Sequence, residues 1–346
     1  MRAIAATLLG KLRHVIRRRV EGRDPLKSVN EGYISELSHK LHLLQNEYKA
    51  ELQALRLRNE TQDAQLEALR AQVAHIYTRS AGIPREQLRL DFALGELEGL
   101  GKLYAELREA RETAEFQSAF DDPSPLVTVI TVTAHRPDLL VDRCLKSIRE
   151  QTYRNLQILV VGDHCIDETP ERVTRLNDAR IEFHNLPKRG PYPKPGIDRW
   201  YVAGTNPSNA SRGLAKGKFI TYLDDDDKYE PNRIEMLLAV AQEQRAEFLW
   251  HKFWYLQPCG TWALWGNGNL EHGEVGTSMI FYHNFFLKLP WDLHAYRVPE
   301  PGDWNRIRKI KHLRPRMAFV DRPLTWYYKN YDVSDFIPHD SEDFLE

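Results

Sequence analysis

The chain has 346 residues, 48 Lys and Arg against 49 Asp and Glu, and a formal net charge of −1. That balance gives no bulk attraction to nucleic acid and excludes it as a charge-driven partner. Cys144, Cys165 and Cys259 are too few and too scattered for a disulfide framework or a zinc site, and no apolar run is long enough to span a bilayer, so the composition points to a cytosolic protein with reduced thiols.

Residues 1–27 read as a basic amphipathic segment. At helical spacing Ile4, Leu8, Leu12, Val15 and Ile16 share a face, with Lys11, Arg13, Arg17 and Arg18 on or near the other. Such a segment can lie on an anionic membrane surface, which predicts peripheral contact at the inner membrane face. A helix packed on a partner, a frayed basic end and a mitochondrial presequence are the alternatives. Residues 28–80 carry heptads: Ile34, Leu37, Leu41, Leu44 and Tyr48, then, after a stutter, Leu52, Leu55, Asn59, Gln62, Leu66, Leu69, Val73 and Ile76. This predicts a coiled coil about 70 Å long at about 1.5 Å per residue. Asn59 at an a position favours a parallel dimer, so a homo-oligomer is expected; a helix folded back on the rest of the chain is the alternative. Residues 81–122 form a helical linker, with Leu88, Leu90, Phe92, Leu94, Leu97, Leu100, Leu103, Tyr104 and Leu107 too apolar to be left free. Asp121-Asp122-Pro123-Ser124-Pro125 ends it.

Residues 123–331 alternate strand and helix. Strands are expected at 126–133, 156–161, 180–184 and 218–223, helices at 137–151, 168–176 and within 206–216, and a final strand at 318–329. The fold class is therefore α/β, a mostly parallel sheet flanked by helices and preceded by the coiled coil and linker. Residues 332–346 read as an acidic tail. In such sheets ligands bind beyond the carboxyl ends of the strands. Those ends hold Thr133-Ala134-His135-Arg136, Gly162-Asp163-His164 and Asp224-Asp225-Asp226-Asp227, three polar clusters converging on one crevice.

Four adjacent carboxylates repel one another, so a cation should share their site. Carboxylate oxygens suit Mg2+ or Mn2+, which sits between one or two carboxylates and a substrate phosphate. A solvated acidic turn is the bland alternative, which the preceding apolar strand and the following Pro231 disfavour. Strand alternation would send Asp224 and Asp226 to one side, Asp225 and Asp227 to the other. Residues 187–205 hold Lys188, Arg189, Lys194, Arg199, Trp200 and Tyr201 among Gly and Pro, either a loop that closes on a diphosphate or a surface excursion. All eight Trp lie at or after Trp200. Phe248, Trp250, Phe253, Trp254, Tyr255, Trp262, Trp265 and Trp291 concentrate there; core packing accounts for most, and sugar-ring contact is the functional reading for the rest.

Residues 125–304 resemble glycosyltransferase family 2, the inverting enzymes with the GT-A fold. The first strand leads into Thr133-Ala134-His135-Arg136-Pro137. Val161-Gly162-Asp163-His164-Cys165-Ile166-Asp167-Glu168-Thr169 looks like the family's Val-Asp-Asp-Gly-Ser-Thr-Asp-x-Thr element, with Gly162, His164 and Cys165 departing from it. Pro207-Ser208-Asn209-Ala210-Ser211 resembles Ala-Arg-Asn-x-Gly, with Ser208 and Ser211 departing. Asp224 to Asp227 matches the Asp-x-Asp region. Glu300-Pro301-Gly302-Asp303-Trp304 looks like the Glu-Asp-Trp element with Gly302 in place of Glu, and Gly273-Glu274-Val275-Gly276-Thr277-Ser278-Met279 resembles the acceptor-lining segment.

The resemblance implies a nucleotide-sugar donor, UDP-linked, and a glycan or lipid-linked acceptor, as in polysaccharide biosynthesis. It implies that Asp163 meets the nucleobase, that Thr133, His135, Arg136, Asn209, Asp224 and Asp225 bind the nucleotide sugar, and that Asp226 with Asp224 holds Mn2+ or Mg2+. Asp303 would be the general base, its bland alternative being a helix N-cap. His272 and His339 are minor candidates for metal or phosphate contact. Two rival functions remain. One is a nucleotidyltransferase, disfavoured because the loop at Thr133–Arg136 lacks Gly. The other is a coiled-coil scaffold with a decayed catalytic domain, disfavoured by the intact Asp run.

Overall fold

The computed structural model describes residues 84–328 apart from Pro299, with side chains from Leu94 onward, together with His39, His42, Asn46, Lys49 and Gln53. Residues 1–83 and 84–346 cluster as two compact units. The basic segment, the heptad seam, the acidic tail and His339 lie outside the described residues. The five described residues of the first unit are helical and exposed, and none is a predicted seam position. Among the described residues no helix is long and apolar enough to cross a membrane.

In the second unit nine described strands form one sheet: β1 (Val127–Thr133), β2 (Leu156–Gly162), β3 (Ile181–Asn185), β4 (Phe219–Tyr222), β5 (Lys228–Tyr229), β6 (Phe248–Leu256), β7 (Trp262–Trp265), β8 (Ile280–His283) and β9 (Met317–Tyr327). The order is β3-β2-β1-β4-β8-β6-β9-β5, with β7 on β6. The first half meets expectation. β1 pairs in parallel with β2 and β4, and β2 with β3. The near-continuous apolar runs of β1, β2 and β4 are buried on both faces, as parallel strands under helices must be, while the edge strand β3 is half-buried.

The second half corrects the mostly parallel expectation: the sheet is mixed. β8 is antiparallel to β4 and β6, β7 to β6, and β5 to β9; only β9 on β6 is parallel. The cause is local. Parallel neighbours need a long crossover, whereas β6 and β7 are joined by a tight turn in which Gln257 N–H donates to Thr261 O at 2.9 Å and Gly260 takes φ +81°.

Helices flank the sheet: α1 (Pro84–Arg111), α2 (Ala114–Asp121), α3 (residues 137–149, π-helical over Leu140–Leu145), α4 (Thr169–Arg175), α5 (Ile197–Val202), α6 (Thr205–Ser211), α7 (Arg233–Glu243) and α8 (Gly302–His312). The apolar linker positions find a surface. Leu100 and Leu107 of α1 are buried in the shared core. Thr113 caps α2 by accepting from Phe116 N–H at 3.2 Å, and the Phe116 ring stacks on His283 of β8 at 3.9 Å. Arg111 ends α1 by donating to both oxygens of Glu247 at 2.8 and 2.6 Å. Arg316 sits 3.0 Å from the same carboxylate, which is fully buried.

Candidate active site

The carboxyl ends of β1, β2 and β4 open on one side of the sheet, and the N-terminus of α8 brings Asp303 to the same place. Asp303 and Asp224 sense each other's charge.

The four aspartates do not continue β4. They form a turn closed by Asp227 N–H donating to Asp224 O at 3.0 Å. The strand alternation expected of them is therefore replaced by a different pairing. Asp225 and Asp226 share Arg136, whose Nη1 lies 3.4 Å from Asp225 Oδ1 and 3.1 Å from Asp226 Oδ2. Asp224 and Asp227 share Ser278: its hydroxyl donates to Asp227 Oδ2 at 2.7 Å and accepts from Asp224 N–H at 3.1 Å. Thr133 hydroxyl donates to Asp225 Oδ2 at 2.7 Å, and Tyr328 N–H to Asp227 Oδ1 at 2.9 Å. Arg143 holds the turn itself, donating to Asp226 O at 2.7 Å with its guanidinium 3.8 Å from the Tyr328 ring centre. Below it Arg233, fully buried, donates to Ser278 O and Ile280 O at 3.2 Å each.

This crowding raises proton affinities. Burial pushes Asp225 up to about 6 despite Arg136. Burial also raises Asp226, with Arg136 opposing. Asp224 stands well above the ordinary carboxylate range through burial and then repulsion from Asp226, Asp225 and Asp303, and Asp227 likewise through burial and its neighbours. Asp303 is raised by burial, opposed by Trp304 N–H, which donates to it at 2.7 Å, and by His272.

The turn commits Asp225 and Asp227 to internal hydrogen bonds. Asp224 and Asp226 are the two with partial exposure. Among the described residues no group of three or more His, Cys, Asp or Glu could hold a metal ion by itself. Asp224, which has no cationic partner among its hydrogen bonds, and Asp226, which shares Arg136, fit a Mg2+ or Mn2+ that takes its remaining ligands from a diphosphate and water.

Asp163 ends β2 and is buried, its backbone N–H donating to Thr133 O at 2.8 Å. Tyr192, from the basic loop, donates to Asp163 Oδ2 at 2.7 Å, and Arg189 Nε lies 3.7 Å from the same oxygen. His135 takes φ +54° and its Nε2 accepts from Ile166 N–H at 3.4 Å, so it shapes the loop after β2. Asn209 faces elsewhere: its amide donates to Trp291 O and accepts from Trp291 N–H, both at 2.9 Å, a clamp between α6 and the segment at Trp291. Among the aromatic positions Phe248, Trp250, Phe253 and Trp291 are core. Tyr327, which feels all of Asp227, Asp224, Asp303 and Asp226, stacks on Tyr255 at 6.0 Å; Tyr255 meets Trp265 at 5.7 Å, and Trp265 is 43% exposed. These rings lead from the carboxylates to solvent.

No protein-family model matches the chain. Over 123 residues it is 32% identical to the GalNAc(5)-diNAcBac-PP-undecaprenol beta-1,3-glucosyltransferase of Campylobacter jejuni, covering 34% of this chain and 35% of that protein. Over 129 residues it is 25% identical to the UDP-Glc:alpha-D-GlcNAc-diphosphoundecaprenol beta-1,3-glucosyltransferase WfgD of Escherichia coli, covering 37% and 46%. The chain is a glycosyltransferase homologue. The match spans less than half the length of either relative. A crystal structure of S. aureus TarS 1-349 in complex with UDP-GlcNAc aligns over 60% of the homologue and 59% of that chain, with 16% identity and a TM-score of 0.45.

The homologue's departures from the family 2 motifs have structural reasons. At Gly162 a Cβ would meet Asn185 Oδ1 at 2.6 Å. Asn185 uses its side chain to accept from Cys165 N–H and donate to Cys165 O, both at 2.8 Å, and so fixes the loop carrying Asp163. At Gly302 a Cβ would meet Tyr201 O at 2.8 Å, so glycine lets α8 rest on the backbone of α5. Ser211 hydroxyl donates to Ser208 O at 2.7 Å, both buried within α6. Asn185, Tyr192, Arg143 and Tyr328 carried no motif; Ser278 lay in the acceptor-lining segment, but its bridging role had no signal.

Proposed function

We propose that the chain is an inverting, metal-dependent glycosyltransferase that moves a sugar from a nucleotide-sugar donor, UDP-linked, to a hydroxyl of a glycan or lipid-linked acceptor. One observation carries this: Asp163, the Asp224–Asp227 turn and Asp303 stand at one edge of the sheet, with a proton affinity raised at Asp303. The curated relatives support the reaction class, and the diphosphoundecaprenol acceptors in two of their names support a lipid-linked acceptor.

Asp163 binds the base, and Thr133, Arg136 and Asp225 border the ribose and diphosphate. Asp224 and Asp226 hold the divalent cation, which when bound supplies Lewis-acid neutralisation of the leaving diphosphate. Asp303 takes the proton of the acceptor hydroxyl as its oxygen attacks the anomeric carbon; the carbon–phosphate oxygen bond breaks on the opposite face and the configuration inverts. A carboxyl raised by burial is a stronger base once ionised. Tyr327, Tyr255 and Trp265 present ring faces to the acceptor sugars. The predicted coiled coil sets an oligomeric state, and the predicted basic segment holds the enzyme at a cytoplasmic membrane face. Calorimetry of nucleoside diphosphates with and without Mn2+, on wild type and Asp226→Ala, tests the reading. Metal-dependent binding lost in the variant is expected; no binding of any nucleotide to wild type would refute it.

A further inference from the structure

The two carboxylate oxygens of Asp163 are not equivalent. Oδ2 accepts the Tyr192 phenol at 2.7 Å and faces Arg189 Nε at 3.7 Å. Oδ1 is buried and has no hydrogen-bond partner among the described residues. A buried acceptor without a donor is costly, so this oxygen is one that a ligand N–H would complete. The place suits a base. β2 lies two strands from β4, across β1, and strands are about 4.8 Å apart, so Asp163 stands about 10 Å along the sheet edge from the aspartate turn. That is the reach of a nucleoside whose diphosphate lies at the turn.

From this geometry we infer that Tyr192 sets the base preference by leaving Asp163 one acceptor oxygen instead of two, which selects an imide base, uracil, over guanine. The inference rests on the nucleotide-sugar reading. Guanine offers two adjacent donors, N1–H and N2–H, which match both oxygens of a free carboxylate in a bidentate pair. Uracil offers one, N3–H. With Oδ2 already accepting the phenol and facing Arg189, guanine's second donor must compete for an occupied oxygen, whereas uracil's single donor needs only the unpartnered Oδ1. Sites of this kind discriminate through the group that would be left unpaired. The phenol is held in turn by burial and by the Asn206 backbone N–H, and the Arg199 guanidinium lies 5.3 Å from its ring centre, so its position is built in by the loop. Cytosine and adenine place a ring-nitrogen acceptor beside their amino donor, so part of their edge meets the carboxylate unfavourably.

The test is calorimetry of UDP and GDP, each with Mn2+, on the full chain and on Tyr192→Phe, which keeps the ring and removes the hydroxyl. Wild type should favour UDP at least tenfold. The variant should cut that ratio by tenfold or more, chiefly by tightening GDP. A UDP to GDP ratio unchanged within twofold in the variant overturns the inference and leaves the transferase reading intact; a wild type that favours GDP overturns the inference and the UDP-linked donor, but not the transferase class. Failure of both nucleotides to bind wild type overturns that reading and this inference with it.

Discussion

Asp225→Asn should make the protein more stable at neutral pH while harming its site. Asp225 is nearly fully buried, and its carboxyl is raised from 3.8 to about 6. In the unfolded chain the group titrates near 3.8, so between that value and about 6 the native state binds more proton than the unfolded state. Stability from this group is therefore complete below pH 3.8, falls as pH rises, and is gone above about pH 6. A shift of about two pK units corresponds to about 3 kcal/mol. Asparagine keeps the shape and the acceptor for Thr133 without the titration. The variant should match wild type near pH 4 and exceed it by about 3 kcal/mol at pH 7.5, or about 6–12 °C in Tm for a domain of this size. Urea unfolding of both proteins at pH 4.5, 5.5, 6.5 and 7.5, in chelator, gives the difference directly. A difference that does not change with pH, or a variant less stable than wild type at pH 7.5, refutes the reasoning.

The same crowding predicts that Mn2+ raises the wild-type Tm more at pH 7.5 than at pH 5, where the aspartates bind protons instead; melting curves in Mn2+ and in chelator read this. Asp303→Asn should lower kcat by about 10²–10⁴-fold with nucleotide binding unchanged, which a transfer assay beside calorimetry separates. In wild type the acidic limb of the pH–rate profile should lie above the ordinary carboxylate range, because burial raises Asp303. Trp265→Ala should raise the acceptor KM about tenfold and leave the donor KM alone, measured in the same assay. Glu247→Ala removes the shared acceptor of Arg111 and Arg316 and should cost about 1.5–3 kcal/mol in urea unfolding, since both guanidinium groups are part-exposed and α1 keeps Leu100 and Leu107 in the core.

The parallel half of the fold was open to reading from the chain because β1, β2 and β4 are runs of strand-forming residues and a helix follows β1 and β2. Of the other half only the final strand was, expected at 318–329 and found as β9. β4 pairs with β8 across some sixty residues, and β6 is buried over Phe248–His251 on both faces, so it shows no alternation to mark it as a strand. At the site, residue types at strand ends located Asp163, Asp224–Asp227 and Arg136 because topology alone carries those ends to one edge. The sharing of Arg136 by Asp225 and Asp226 was hidden, since a turn replaced the strand that alternation presumed. Asn209 carried a family signature yet spends its amide on Trp291. Tyr192 had no signature, because a loop rich in Gly and Pro has no period from which the direction of one phenol follows.

The contact at Gly302 gives the two ends of the cleft a common bearing. Because α8 rests on the Tyr201 carbonyl, the helix that carries Asp303 leans on the segment that follows Tyr192. Asp163 and Asp303, far apart in sequence, are thereby tied to one segment: Tyr192 near its start reaches the Asp163 carboxylate, and Tyr201 near its end supports the helix of Asp303.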